Sequence, residues 1–310
     1  MKRALLLITA LAVVAACVEK QATPSKPAAA TRIVSLAPNL TELVFTVGAG
    51  DKLVGVSAWS DYPREVLKLP VVGDAFTIDQ EQLALANPDL ILVWEGGTPA
   101  HVIDKLRAIG YNVAAVKTKN LDDVAAAILS IGELTGHSRE AAIAASQYRA
   151  ELQMLRDNYE GLPAIRVFYQ VAARPLYTIN NEHYISELIA ACGGDNIFKD
   201  LTELAPTIDV EAVVDRNPEV MLASTDAGDD AFLEWERWPD IAAIRLGNQF
   251  LLPADEIGRA TTRIIVAGNA MCLALHQARL NRDRASRVLP DRIPRERVHE
   301  QRRIADRTVD

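Results

Sequence analysis

The chain is short of most groups that carry out chemistry. It has three cysteines and five histidines in 310 residues. His101, His137, His183, His276 and His299 stand far apart, without the short spacing of a metal-ligand pair, so surface or capping positions suit them better. Gly48-x-Gly50 lacks a third glycine and there is no Walker lysine motif, which excludes the usual phosphate loops. No G-x-S-x-G nucleophile elbow and no H-E-x-x-H helix is present. These absences point away from an enzyme and from a resident metal or cofactor, and towards a binding protein. A net charge of −8 argues against a nucleic-acid binder.

The apolar stretch Ala4–Ala16 is too short for a transmembrane helix, which needs about 20 residues. Preceded by Lys2 and Arg3, it has the form of a secretory h-region. It ends in Val14-Ala15-Ala16-Cys17, which resembles a bacterial lipobox. Residues 1–17 are therefore expected to be a lipoprotein signal with Cys17 lipidated, the alternative being an ordinary signal peptide cut nearby. Residues 18–30, rich in Ala, Pro, Lys and Thr, read as a flexible tether. Lipidation at Cys17 leaves an even pair in an oxidising compartment. Cys192 and Cys272 then form a disulfide, or remain two buried free thiols.

What the chain does have is an internal repeat. Residues 78–89 read I-D-Q-E-Q-L-A-L-A-N-P-D and residues 208–219 read I-D-V-E-A-V-V-D-R-N-P-E, 130 positions apart, each followed by an apolar run. Thr41-Glu42-Leu43-Val44 before Gly48 is matched by Ser186-Glu187-Leu188-Ile189 before Gly193. Similarity at a long offset implies two related lobes, with a cleft between them as the natural place for a ligand. Strand patterns near 33–36, 52–56, 90–93 and 112–116 alternate with helical ones, as do those near 165–171, 219–223 and 249–252, the last followed by a final helix near 259–277. The expected class is α/β, with two α/β lobes, each holding a mostly parallel sheet. Asp79 has the character of an N-cap, with Gln82 at the capping-box position. A helix capped by Ser138 and uninterrupted to about Asn158 would be about 31 Å long, enough to span both lobes as a strut. The reading divides the chain into a lobe at 31–137, an interlobe helix at 138–160, a second lobe at 161–278 and a charged tail at 279–310. That tail has ten Arg, six acids and no aromatic residue, and is expected to be disordered or loosely helical.

Aromatic residues are only 5% of the chain, so their positions inform. Trp59 and Tyr62 follow one strand and Trp94 follows another, at the carboxyl ends where open parallel sheets bind ligands. Phe76 and Tyr177 are candidates to join them. Packing of the lobe loops is the competing role for these rings, and a structural role is preferred for Trp235 and Trp238. Asp255 and Arg259 follow the last strand, as polar contacts for a ligand or as a surface pair. Glu81 and Glu211 fall in the first turn of equivalent helices. A carboxylate there is favoured by the helix dipole, yet two exposed acids on opposite lobes also suit paired arginines on a symmetric partner.

These residues resemble the helical-backbone substrate-binding proteins of ABC importers, which carry corrinoids, ferric siderophores or haem. Within that family the resemblance is nearest to the cobalamin binders and covers about residues 32–277. It rests on V-G-V-S-A-W-S-D-Y-P (54–63), N-P-D-L-I-L-V-W-E-G-G (87–97), C-G-G-D-N-I-F-K-D (192–200) and R-A-T-T-R-I-I (259–265). The resemblance implies two lobes joined by one long helix and a corrinoid in the cleft. Trp59, Trp94 and Tyr177 match aromatic cleft positions, and Asp255 and Arg259 match a polar pair. Glu81 and Glu211 match the acids that dock on an ABC permease dimer with its ATPase subunits, and Cys192 and Cys272 match a cysteine pair. It also implies a periplasmic, lipid-anchored receptor, monomeric when free, with the corrinoid as cargo rather than cofactor. Where the cobalamin binders carry aromatics this chain has Ala75, Ala205, Glu256 and Ile257, which leaves cobinamide or another tetrapyrrole-sized molecule open. Rival readings are a siderophore or haem receptor of the same fold, an exported hydrolase and a lipoprotein that binds only other proteins.

Overall fold

The computed structural model describes residues 28–288. The expected signal, Cys17 and the tether up to residue 27 lie outside the described residues, as do residues 289–310.

The first lobe contains β1 (Ile33–Ser35), α1 (Pro38–Thr46), β2 (Leu53–Val56), α2 (Gln80–Ala86), β3 (Leu90–Trp94), α3 (Ala100–Ile109), β4 (Val113–Val116) and α4 (Leu121–Thr135). Its four strands are all parallel, in the order β2-β1-β3-β4. After α5 (Ser138–Tyr159), the second lobe contains β5 (Ile165–Gln170), the small hairpin β6 (Ala172–Ala173) and β7 (Leu176–Tyr177), α6 (Tyr184–Ala191), β8 (Gly194–Asn196) and α7 (Val210–Arg216). It continues with β9 (Val220–Ser224), α8 (Ala242–Arg245), β10 (Gln249–Leu252), α9 (Ala254–Ile257) and α10 (Ile264–Val288). Its sheet, β10-β9-β5-β8, is also parallel. Hairpin aside, both sheets carry their second, first, third and fourth strands side by side. The sequence repeat is thus a repeat of topology, in which α1 corresponds to α6 and α4 to α10.

The repeated motif is a helix with both of its ends. Asp79 accepts hydrogen bonds from the N–H groups of Glu81 and Gln82, and Asp209 accepts one from Ala212, so each caps its helix. Asn87 and Asn217 close the helices in the left-handed region, with φ of 43° and 42°. The prolines that follow prevent continuation. The last acid clamps the strands: Asp89 accepts from the N–H groups of Thr31 and Arg32, and Glu219 from that of Arg166. Leu83 and Val213 face the core. Glu81 and Glu211 are exposed, and among the described residues neither carboxylate has a hydrogen-bond or ion-pair partner.

The 22-residue α5 is about 33 Å long. It packs closely on α4 because Gly132 has no side chain; a Cβ there would lie 2.2 Å from that of Ala141. The Tyr148 hydroxyl donates to the Leu121 carbonyl at 2.8 Å, and Leu155 reaches Gly268 of α10. One continuous cluster of buried side chains runs from Ile33, Leu40 and Leu92 through Ile128, Tyr148 and Leu152 to Ile165, Leu188 and Leu275. The lobes therefore share a core as well as a connecting helix.

Three expectations need correction, the first being the last helix, which starts at Ile264 rather than near 259. Ser138 lies inside α5 while His137 takes the capping position, without a side-chain bond to the helix. The tail does not begin at 279, because α10 continues to Val288. Arg279 is buried and donates to the carbonyls of Pro163, Cys192 and Gly193, so its charge serves packing rather than solvation. Cys192, at the end of α6, is disulfide-bonded to Cys272 of α10, with Cα atoms 4.7 Å apart.

Candidate ligand-binding cleft

Parallel strands place the loops after β2 and β3 on the same edge of the first sheet. Trp59 projects from the first of these loops and is 83% exposed. Its φ of 66° is an uncommon conformation for a bulky residue. Tyr62 is 47% exposed three residues on. Phe76, 71% exposed, stands on a turn formed by Asp74, whose carboxylate accepts from the N–H groups of Phe76 and Thr77. The Ala58 N–H donates to the Gly73 carbonyl at 2.7 Å, so this turn neighbours the Trp59 loop. Trp94 is half-buried at the end of β3. Gly97 lies against its indole; a Cβ there would come within 2.0 Å of the ring. Tyr177 is half-buried in the second-lobe hairpin.

Asp255 and Arg259 pair at 3.2 Å, and Arg259 does more. Its guanidinium crosses to the first lobe and donates to Glu42 at 3.0 Å, to Asp61 at 2.6 Å and to the Trp59 carbonyl at 3.2 Å. Glu42, 4% exposed on α1, also accepts from the Thr261 hydroxyl at 2.9 Å and from Arg263 at 3.1 Å. Arg263 is ion-paired to Glu256 as well, and its Cζ sits 4.0 Å from the centre of the Tyr62 ring. The Arg259 hydrogen bond holds the Asp61 carboxyl below its ordinary value. Burial opposes the charge on Arg259, but Asp61 and Glu42 outweigh it and raise the pKa.

A second tie runs the other way. Glu187 of α6 accepts from the N–H of Leu121, the first residue of α4, at 2.9 Å. Burial raises its carboxyl and that backbone bond opposes the shift. In each half the glutamate of the first helix thus crosses to the start of the other half's last helix. The exposed Lys119–Glu182 pair, 2.7 Å apart, also spans the lobes but contributes little in water. His183 caps α6 by accepting from the Ile185 N–H, and burial pushes its pKa down to about 4.

The structure thus brings Trp59, Tyr62, Asp255 and Arg259 into one cluster and sets Phe76 beside it. Among the described residues no hydrogen bond, ion pair or ring contact joins Trp94 or Tyr177 to that cluster. Two cavities lie elsewhere. One of about 20 Å³ is lined by Trp235, Trp238 and Gln170, and one of about 380 Å³ by Asp89, Asn112 and Glu133. Trp235 is buried and donates to Gln170 at 2.7 Å, which gives it the structural role preferred for it. Sequence reasoning missed Glu42, Asp61, Thr261 and Arg263. The matched Thr41-Glu42 and Ser186-Glu187 pairs were the signal for the first. The others lie within the motifs 54–63 and 259–265, of which only the aromatics and Arg259 were singled out.

Two like lobes sharing a core, with rings and charges on a common edge, define a solute receptor. The chain belongs to the periplasmic binding protein family, whose sequence pattern matches residues 33–256. It is 36% identical over 264 residues to the vitamin B12-binding protein of Vibrio cholerae, covering 84% of this chain and 95% of that one. The crystal structure of the periplasmic vitamin B12-binding protein BtuF of Vibrio cholerae aligns with a TM-score of 0.74 at 35% identity, over 81% of this chain and 98% of that one. The periplasmic haem-binding protein RhuT from Roseiflexus aligns with a TM-score of 0.71 at 25% identity, over 80% and 98%. Members of this family carry solutes and are not catalysts, and they work in the periplasm as the binding components of ABC importers.

Proposed function

We propose that this receptor binds a corrinoid, cobalamin or cobinamide, and hands it to an ABC permease. One observation carries the reading: Trp59 and Tyr62 stand exposed on the loop held by Arg259, and Phe76 on the turn next to it, although large rings normally seek burial. A flat macrocycle with an amide rim complements that surface, the rings taking the face and the charges the rim. Trp94 and Tyr177 complete the aromatic set. The vitamin B12-binding relatives support the choice of ligand. Ala75, Ala205 and the buried Ile257 make the cleft less aromatic than a full cobalamin site, which favours the smaller cobinamide.

Delivery rests on Glu81 and Glu211. The other shared positions of the repeated motif pack against the core, cap a helix, end one or clamp a strand, while these two acids face solvent on both lobes. They fit arginines on the two subunits of a permease dimer that is driven by its ATPase subunits. Lipidation of Cys17 anchors the receptor to the membrane. The deciding experiment is a tryptophan-fluorescence and absorbance titration with cobinamide, cyanocobalamin and haem. Saturable quenching by a corrinoid is expected; saturation by haem alone replaces this reading with haem transport.

A further inference from the structure

We propose that Glu42 and Arg263 are positioning residues for the ligand-facing loop 57–63, an inference that rests on the corrinoid-cleft reading above. Trp59 holds an unfavourable backbone conformation with most of its side chain in water, so packing of its own ring does not fix it. What fixes the loop comes from the other lobe. Arg259 holds the Trp59 carbonyl and the Asp61 carboxylate, and Arg263 lies over the Tyr62 ring. Two guanidiniums side by side repel each other unless an anion sits between them. Glu42 is that anion: it is buried, and its Oε1 accepts from both arginines while its Oε2 accepts from Thr261. Arg263 and Glu42 thus act on the ligand only through the loop that they hold.

The reciprocal glutamate supplies an internal control. Glu187 ties the lobes as Glu42 does, yet it touches the start of α4 and no part of the aromatic loop. The test compares Arg263→Met, Arg263→Lys, Glu42→Gln and Glu187→Gln. Amide hydrogen exchange is followed at Ala58 and Ser60, whose N–H groups bond the Gly73 and Ser57 carbonyls, and cobinamide affinity is followed by tryptophan fluorescence. Arg263→Met leaves the buried Glu42 with Arg259 and Thr261 and unpairs only Glu256, which still reaches solvent, so folding is retained. Loss of a charged hydrogen bond should speed exchange about tenfold and weaken cobinamide binding about tenfold in Arg263→Met and Glu42→Gln. Arg263→Lys, which restores charge opposite Glu42, should recover part of both, and Glu187→Gln should leave the loop amides unchanged. Unchanged exchange in Arg263→Met overturns the proposal. So does equal acceleration in Glu187→Gln, which would make the loop a passive reporter of lobe separation. Should Glu42→Gln fail to fold, Arg263→Met and the exposed Asp61→Asn decide the matter, since both loosen the same loop. Exchange needs no ligand: if the wild-type protein ignores both cobinamide and cyanocobalamin, the corrinoid reading falls while the exchange comparison still settles the positioning role.

Discussion

Removing the disulfide is the perturbation whose size follows most directly from the fold. Cys192 and Cys272 are separated by 80 residues, so the bridge closes a loop holding most of the second lobe. The chain-entropy relation for a loop of that length gives about 4.5 kcal/mol of stabilisation. Both sulfurs are fully buried, so alanine is the right replacement: serine would add unpaired buried hydroxyls to the loss. The small void left by two sulfurs adds to the destabilisation. For a urea slope of about 2 kcal/mol/M, the double variant Cys192→Ala with Cys272→Ala should move the unfolding midpoint down by about 2 M. Dithiothreitol treatment of the wild-type protein leaves no void and should give a slightly smaller shift. Equilibrium urea unfolding, followed by circular dichroism and by tryptophan fluorescence, reads both. A shift below about 0.5 M would refute the argument, because it would mean that the bridge scarcely restricts the unfolded chain.

Three further outcomes are expected. Trp94→Ala should weaken corrinoid binding about tenfold with little change in fold, since the ring is half-buried; unchanged affinity in a calorimetric titration would remove Trp94 from the cleft. Glu81→Ala combined with Glu211→Ala should leave binding intact and abolish uptake in a whole-cell transport assay; normal uptake would end the docking proposal. Asp61 titrates below its ordinary value, so its grip on Arg259 is complete above about pH 4 and is lost only as pH falls through the lowered folded value. Corrinoid affinity should therefore stay level from about pH 8 to about pH 5, and a break near pH 6 would implicate a histidine instead.

The repeat carried much of the fold. Asp79 reads as a cap and Pro88 as a stop because both effects are local, and the structure uses them so. The start of α10 was not legible. Residues 259–263 lack glycine and proline and read as helix, but Arg259, Thr261 and Arg263 reach Glu42 from an irregular segment, and the helix begins only at Ile264. Such a bond joins residues more than 200 positions apart, and no local pattern encodes it. Arg279 misled for a similar reason: one buried arginine inside an arginine-rich stretch looks like its exposed neighbours. The aromatic loop positions were visible from their place after strands. The charges that hold them were not, because an acid on an apolar helix gives no sign of which partner will neutralise it.

The core that runs without a break through both halves bears on traffic at the membrane. A body welded in this way cannot snap shut like a jaw around its cargo. On the docking proposed above, full and vacant molecules then offer the same pair of acids at the same spacing to the permease. Vacant copies would occupy the entry gate as readily as full ones, so throughput would follow the fraction carrying cargo rather than the number present.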